Sequence, residues 1–199
     1  KKYYNIKKNC NIMLINNNIE FKKSNFKSPI GNGIFDIYIN EQSTLLYKKI
    51  RNKKFINDIE IYKSIINDVI NDNILKEYIH DIKNIVIEND GSYFCSFIKN
   101  NIRLYDINKD SDISDDNLIK IKNAIINMKI ILNKYCEKNK LKGDWALHNL
   151  LYCFDTNKIY NVDIEGFYTY PYIHNNGNCD IGYFNKRVDD LTKIIDNKI

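Results

Sequence analysis

An aspartate, an asparagine five positions on, and a second aspartate beyond a short hairpin pattern are the residues whose spacing carries chemistry: Asp144, Asn149 and Asp163. Phosphoryl transfer from ATP asks for such a trio. One carboxylate accepts the proton of the attacking hydroxyl, while an amide and a second carboxylate hold the Mg²⁺ ions that bridge the phosphates. Between Asn149 and Asp163 the chain supplies the means to bring them together. Leu150, Leu151, Tyr152, Cys153 and Phe154 form an apolar run of strand length. Asp155-Thr156-Asn157-Lys158 has turn chemistry, and Ile159-Tyr160-Asn161-Val162 makes a second strand. A hairpin there places Asn149 and Asp163 at one end, within reach of one metal. The chain is rich in Asn and Asp, so the pair Asp144/Asn149 alone carries no weight. An ordinary hairpin with a polar residue at each end is the competing reading.

The N-terminal half decides between them. Ile30-Gly31-Asn32-Gly33-Ile34-Phe35 holds two glycines that let a backbone approach a phosphate closely, with strand alternation resuming through Ile37 and Ile39. After a polar turn at Asn40-Glu41-Gln42-Ser43 comes the strand Thr44-Leu45-Leu46-Tyr47-Lys48-Lys49-Ile50. A lysine inside an apolar strand is costly to bury unless paired. Lys48 follows the apolar run directly, and Lys49 is expected on the opposite, solvated face. Phe55, Ile59, Tyr62, Ile66 and Val69 recur at three- and four-residue steps, which predicts an amphipathic helix over 55–70. Glu60 lies at the edge of that stripe, as the expected partner of Lys48; a solvated glutamate is the alternative.

The remaining pattern is a hairpin, Asn84–Glu88 and Tyr93–Ile98 about Asn89-Asp90-Gly91, and then a long helix. Ser114 caps that helix, Asp115 and Asp116 open it, and Leu118, Ile121, Ile125, Met128, Leu132 and Tyr135 mark its buried face.

In this order the motifs resemble the catalytic core of the protein-kinase-like superfamily. Gly143-Asp144 is similar to the His-Gly-Asp pattern of aminoglycoside phosphotransferases and lipopolysaccharide kinases, and Asp163-Ile164-Glu165 to the Asp-Phe-Glu of choline kinases. The resemblance covers about Ile30 to Leu191 and implies an α+β, two-lobe fold with an antiparallel N-lobe sheet and a truncated helical C-lobe. It implies an N-lobe over residues 1–100 and a C-lobe over 101–199, joined near 99–102. The functional residues it implies are Gly31, Gly33, Lys48 and Glu60 toward ATP, Asp144 as catalytic carboxylate with Lys48, and Asn149 and Asp163 as Mg²⁺ ligands. These groups are expected around one cleft. The sequence departs from the pattern at Lys142, where His is usual, and at Ile164-Glu165 in place of Phe-Gly. Some three dozen residues follow Asp163, too few for an ordinary substrate-binding lobe.

The expected activity is transfer of the ATP γ-phosphoryl group to a hydroxyl of a protein or small molecule. The alternative is a pseudokinase serving as a nucleotide-binding or protein-interaction module, supported by the short C-lobe and by Tyr168, Tyr170 and Tyr172 as a partner surface. A chain of 199 residues suffices for one two-lobed domain or two small domains. Its net charge of +5 comes from lysines interleaved with acids, so nucleic acid is an unfavoured partner. The five cysteines show no metal-binding spacing and read as free thiols of a cytoplasmic protein. No apolar run approaches the ~20 residues of a membrane span. Either Asp180 or Asp190 is expected to be a buried acid bracing the catalytic loop.

Overall fold

The structure is a computed structural model that describes residues 6–8, 11–16, 19–23, 35–40, 42, 45–50, 59–80, 85–109, 112–164, 166–167 and 181–199. The chain divides into two compact units, one of residues 1–64 with 81–99 and the other of residues 65–80 with 100–199.

The first unit is an antiparallel sheet. Its strands are β1 (Ile6–Lys8), β2 (Asn11–Asn16), β3 (Ile19–Lys23), β4 (Phe35–Asn40), β5 (Leu45–Ile50), β6 (Val86–Ile87) and β7 (Tyr93–Ser96), in the order β1-β2-β3-β4-β5-β7-β6. Strand alternation sorts the side chains to the two faces. Tyr38 pairs with Tyr47 and Tyr47 with Phe94, so these rings share a face with the buried Phe21. Tyr47 and Phe94 stack with centroids 4.4 Å apart. The Tyr47 hydroxyl donates to Glu88 at 2.7 Å. Burial first, and this bond second, push its phenol well above the ordinary value. The β6–β7 hairpin turns at Gly91, whose φ of 89° suits glycine. Ser92, fully buried, accepts from the Ile50 amide at 3.0 Å.

The second unit holds the three-stranded antiparallel sheet β8 (Asn101–Arg103), β9 (Leu150–Cys153) and β10 (Lys158–Asn161), in the order β10-β9-β8. It also holds α2 (Asp115–Cys136) and α3 (Ile181–Asp196), while α1 (Ile59–Asn71) begins in the first unit and ends in the second. On α2 the Ser114 hydroxyl accepts from the Asn117 amide, and all six residues read as its buried face are buried. Such a cap contributes about 1 kcal/mol. On α3, Phe184, Val188, Leu191 and Ile195 recur at four-, three- and four-residue steps and are buried, and α3 packs against α2. Asn133 and Asn185 exchange amide hydrogen bonds at 2.8 Å across that contact, flanked by the ion pairs Lys129–Asp189 and Lys122–Asp196.

Among the described residues the fold is α+β, with antiparallel sheets and three helices. Tyr62, Ile66 and Val69 of α1 are buried as its periodicity requires; Phe55, expected in the same helix, lies outside the described residues. Strand β8, expected only as a connector, pairs with β9 through Ile102 and Tyr152. No helix among the described residues is long and apolar enough to cross a membrane. Cys136 and Cys153 are free thiols.

Candidate active site

The hairpin expected between the two polar positions is present, and its register decides what meets at its open end. Leu150 faces Asn161 and Cys153 faces Lys158. The tip turns through Asn157, a residue type that tolerates the left-handed region, at φ 53°. Its side chain accepts from the Tyr152 hydroxyl at 2.9 Å. Pairing continues past the strands: the Val162 amide donates to the Asn149 carbonyl at 2.9 Å. Asn149 thus lies opposite the residue before Asp163. Its amide nitrogen donates to Asp163 Oδ2 at 3.2 Å.

Asp144 reaches the same place from the loop preceding the hairpin. Gly143 adopts φ 92°, and a Cβ there would strike the Phe167 ring at 2.7 Å, so glycine is required twice over. The buried Trp145 anchors the loop by donating from its indole nitrogen to the Lys142 carbonyl at 2.6 Å. Its ring meets Phe167 and Tyr78 edge-on, with centroids 6.0 and 5.8 Å away. Asp144 Oδ1 accepts from the Ala146 amide at 3.0 Å, which fixes the carboxylate on its own backbone. A single 3-10 turn over Leu147–Asn149, closed by the Asn149 amide on the Ala146 carbonyl at 2.8 Å, then delivers Asn149 to β9.

Two further residues complete the arrangement, and the sequence reading assigned neither a role. Asn161 is 1% exposed. Its amide nitrogen donates to the Asp144 carbonyl at 2.9 Å, and its Oδ1 accepts from the Asp163 amide at 2.9 Å. Gly166 sits against both carboxylate-bearing residues. A Cβ there would overlap Asp163 Oδ2, lie 3.0 Å from Asp163 Cγ and lie 3.2 Å from Asp144 Cβ. The signals were present but quiet: a polar residue at an inward position of a strand, and a glycine three residues after an aspartate.

His148 is half-buried beside this cluster. Burial lowers its pKa, the Asp144 charge opposes that shift, and Arg103 reinforces it, so the neutral imidazole is favoured. Lys142 makes an exposed ion pair with Asp68 at 3.5 Å. Asp190 is exposed on α3 and is not a buried brace; Asp180 lies outside the described residues. The contact that ties down the Asp144 carbonyl comes from Asn161.

Of the groups expected toward ATP, Gly31 and Gly33 lie outside the described residues. Lys48 and Glu60 belong to the first unit. Lys48 is 9% exposed on β5, flanked in register by Ile37 and Tyr93, with Nζ 5.2 Å from the Tyr93 ring centre. Its charge lies over an aromatic face. Lys49 is only half-buried. Glu60, in the first turn of α1, is 78% exposed and bonded to Lys63 at 3.2 Å.

Asn149 and Asp163 offer an amide oxygen and a carboxylate at one point, since rotation of the Asn149 amide exchanges its oxygen for its nitrogen. Mg²⁺ takes oxygen donors, and one or two side chains suffice when substrate phosphates supply others. The donor set fits that ion. Among the described residues no group of three or more His, Cys, Asp or Glu side chains is placed to hold a metal. No family model and no curated protein matches the chain.

Proposed function

We propose that this chain is an ATP- and Mg²⁺-dependent phosphotransferase of kinase-like, two-lobe architecture. It moves the γ-phosphoryl group to a hydroxyl of a protein or of a small molecule. The observation that carries this reading is the convergence of Asp144, Asn149 and Asp163. The last two are in hydrogen-bond contact, and Gly166 lies against both aspartates.

In this reading Asp144 orients the acceptor hydroxyl and takes its proton as the new oxygen–phosphorus bond forms and the bond to ADP breaks. Asp163 and Asn149 hold Mg²⁺, whose charge offsets that of the phosphates. Lys48 contributes a positive charge that its strand keeps out of bulk water, where it acts more strongly on a phosphate. The fixed backbone around Asp144 supports the role, because a carboxylate already held in place loses little freedom when the acceptor binds. A pseudokinase is the rival. It is favoured by the Asn149–Asp163 bond, which gives each side chain a partner within the protein itself.

A thermal-shift titration tests binding. ATP with Mg²⁺ should raise the melting temperature more than ATP with EDTA, since ligand bound only by the folded state stabilises it. An absence of any shift at millimolar nucleotide would contradict the proposal.

A further inference from the structure

We infer that Asn161 is a positioning residue that sets the separation of Asp144 and Asp163; the inference rests on the phosphotransferase reading of the same site. One side chain spans the two segments, donating to the Asp144 carbonyl and accepting from the Asp163 amide, each at 2.9 Å. At 1% exposure it has almost no access to solvent that could replace either bond. The task needs one donor and one acceptor on a short planar group, and a primary amide provides both. A carboxylate at this position would set negative charge against the Asp144 carbonyl, and a hydroxyl reaches only one partner well.

The contacts around Asn161 divide the work. The Asn149–Asp163 pair is held through the Val162 amide on the Asn149 carbonyl, a bond independent of the Asn161 side chain. The Asn161 side chain ties the Asp144 backbone to the Asp163 backbone. Its loss should therefore leave the metal-binding pair in register and free the Asp144 loop to drift. The chemical step depends on that distance far more steeply than nucleotide binding does, and a 1 Å misplacement can cost roughly 10²-fold in rate.

The test compares Asn161→Ala and Asn161→Ser with the unaltered chain, each first checked for its fold by circular dichroism. Two measurements follow: kcat and KM for MgATP in phosphate transfer, and hydrogen exchange of the Asp163 amide by NMR. The account expects kcat lowered about 10²-fold in Asn161→Ala, a KM for MgATP changed less than about threefold, and faster exchange at the Asp163 amide. Asn161→Ser keeps one of the two bonds, should show a smaller loss of kcat, and serves if the alanine variant does not fold. A folded variant with kcat within about twofold of the unaltered chain and a protected Asp163 amide would overturn the inference. Loss through KM alone would overturn it too. Absence of transfer in the unaltered chain would instead remove the phosphotransferase reading, and the clamp would then stand or fall on the exchange of the Asp163 amide.

Discussion

The Asn149 amide donates to the Asp163 carboxylate at 3.2 Å although the two lie fourteen positions apart in the chain. Register is the cause: Leu150 opposite Asn161, then Asn149 opposite Val162, leaves both side chains at the mouth of one hairpin. A change of register would shift Asn149 along the partner strand away from Val162 and Asp163, so the β9–β10 turn and its Asn157 act on the site from the far end of the strands.

Asp163→Asn should weaken Mg²⁺-dependent ATP binding. The substitution keeps the shape of the side chain and removes the one charged donor of the pair. Isothermal titration with ATP should give a Kd raised at least tenfold with Mg²⁺ present and little change with EDTA, about 1.4 kcal/mol lost from the metal-dependent part. An unchanged Mg²⁺ dependence would contradict the ligand role.

Gly166→Ala should act through the same carboxylate. Its new methyl would overlap Asp163 Oδ2 and crowd Asp144 Cβ at 3.2 Å. The Asp163 side chain must then move. We expect loss of transfer of 10²-fold or more, in keeping with the steep dependence of rate on placement, in a protein that still melts cooperatively. Retention of full activity would mean that Asp163 works from a different position.

Acidification should destabilise the fold in two stages. The folded pKa of His148 is depressed, chiefly by burial, so below about 6.5 the unfolded chain binds the extra proton and stability falls with pH. His148→Gln should flatten that part of the curve in urea melts between about pH 7 and 5. Asp72 enters lower. Burial alone would raise its pKa, but hydrogen bonds from the Leu75 and Ile74 amides and the Tyr135 hydroxyl, with the Lys142 charge, bring it below the ordinary value. Its contribution is present above about pH 4 and is lost as pH falls through the folded value.

Much of this was legible in the sequence because the signals were local. The helix over Asp115–Cys136 announced itself through Ser114, two acids and a six-residue apolar stripe. The hairpin over 150–161 announced itself through a turn between two apolar runs, and the burial of Lys48 followed from its place in an apolar strand. What escaped was set by tertiary register. Asn161 looked like one more asparagine in an asparagine-rich chain, and only its inward position on β10 and the approach of the Asp144 loop give it two partners. Strand β8 is three residues long, too short for alternation to show. Gly166 offers only the faint signal of a glycine three residues after an aspartate, since its importance lies in the volume it leaves to Asp163.

The central claim is that Asp144 serves catalysis rather than structure. The measurement that tests it most directly is Mg²⁺-dependent ATP turnover, with and without a panel of protein and small-molecule hydroxyl acceptors, in the native chain and in Asp144→Asn. The account predicts turnover in the native chain, a rate lower by ~10²–10⁴ in the variant, as for loss of a positioned general base, and near-equal affinity for MgATP in both. Native turnover no greater than the variant's across the whole panel, with MgATP bound by both, would contradict it and leave the chain a nucleotide-binding module.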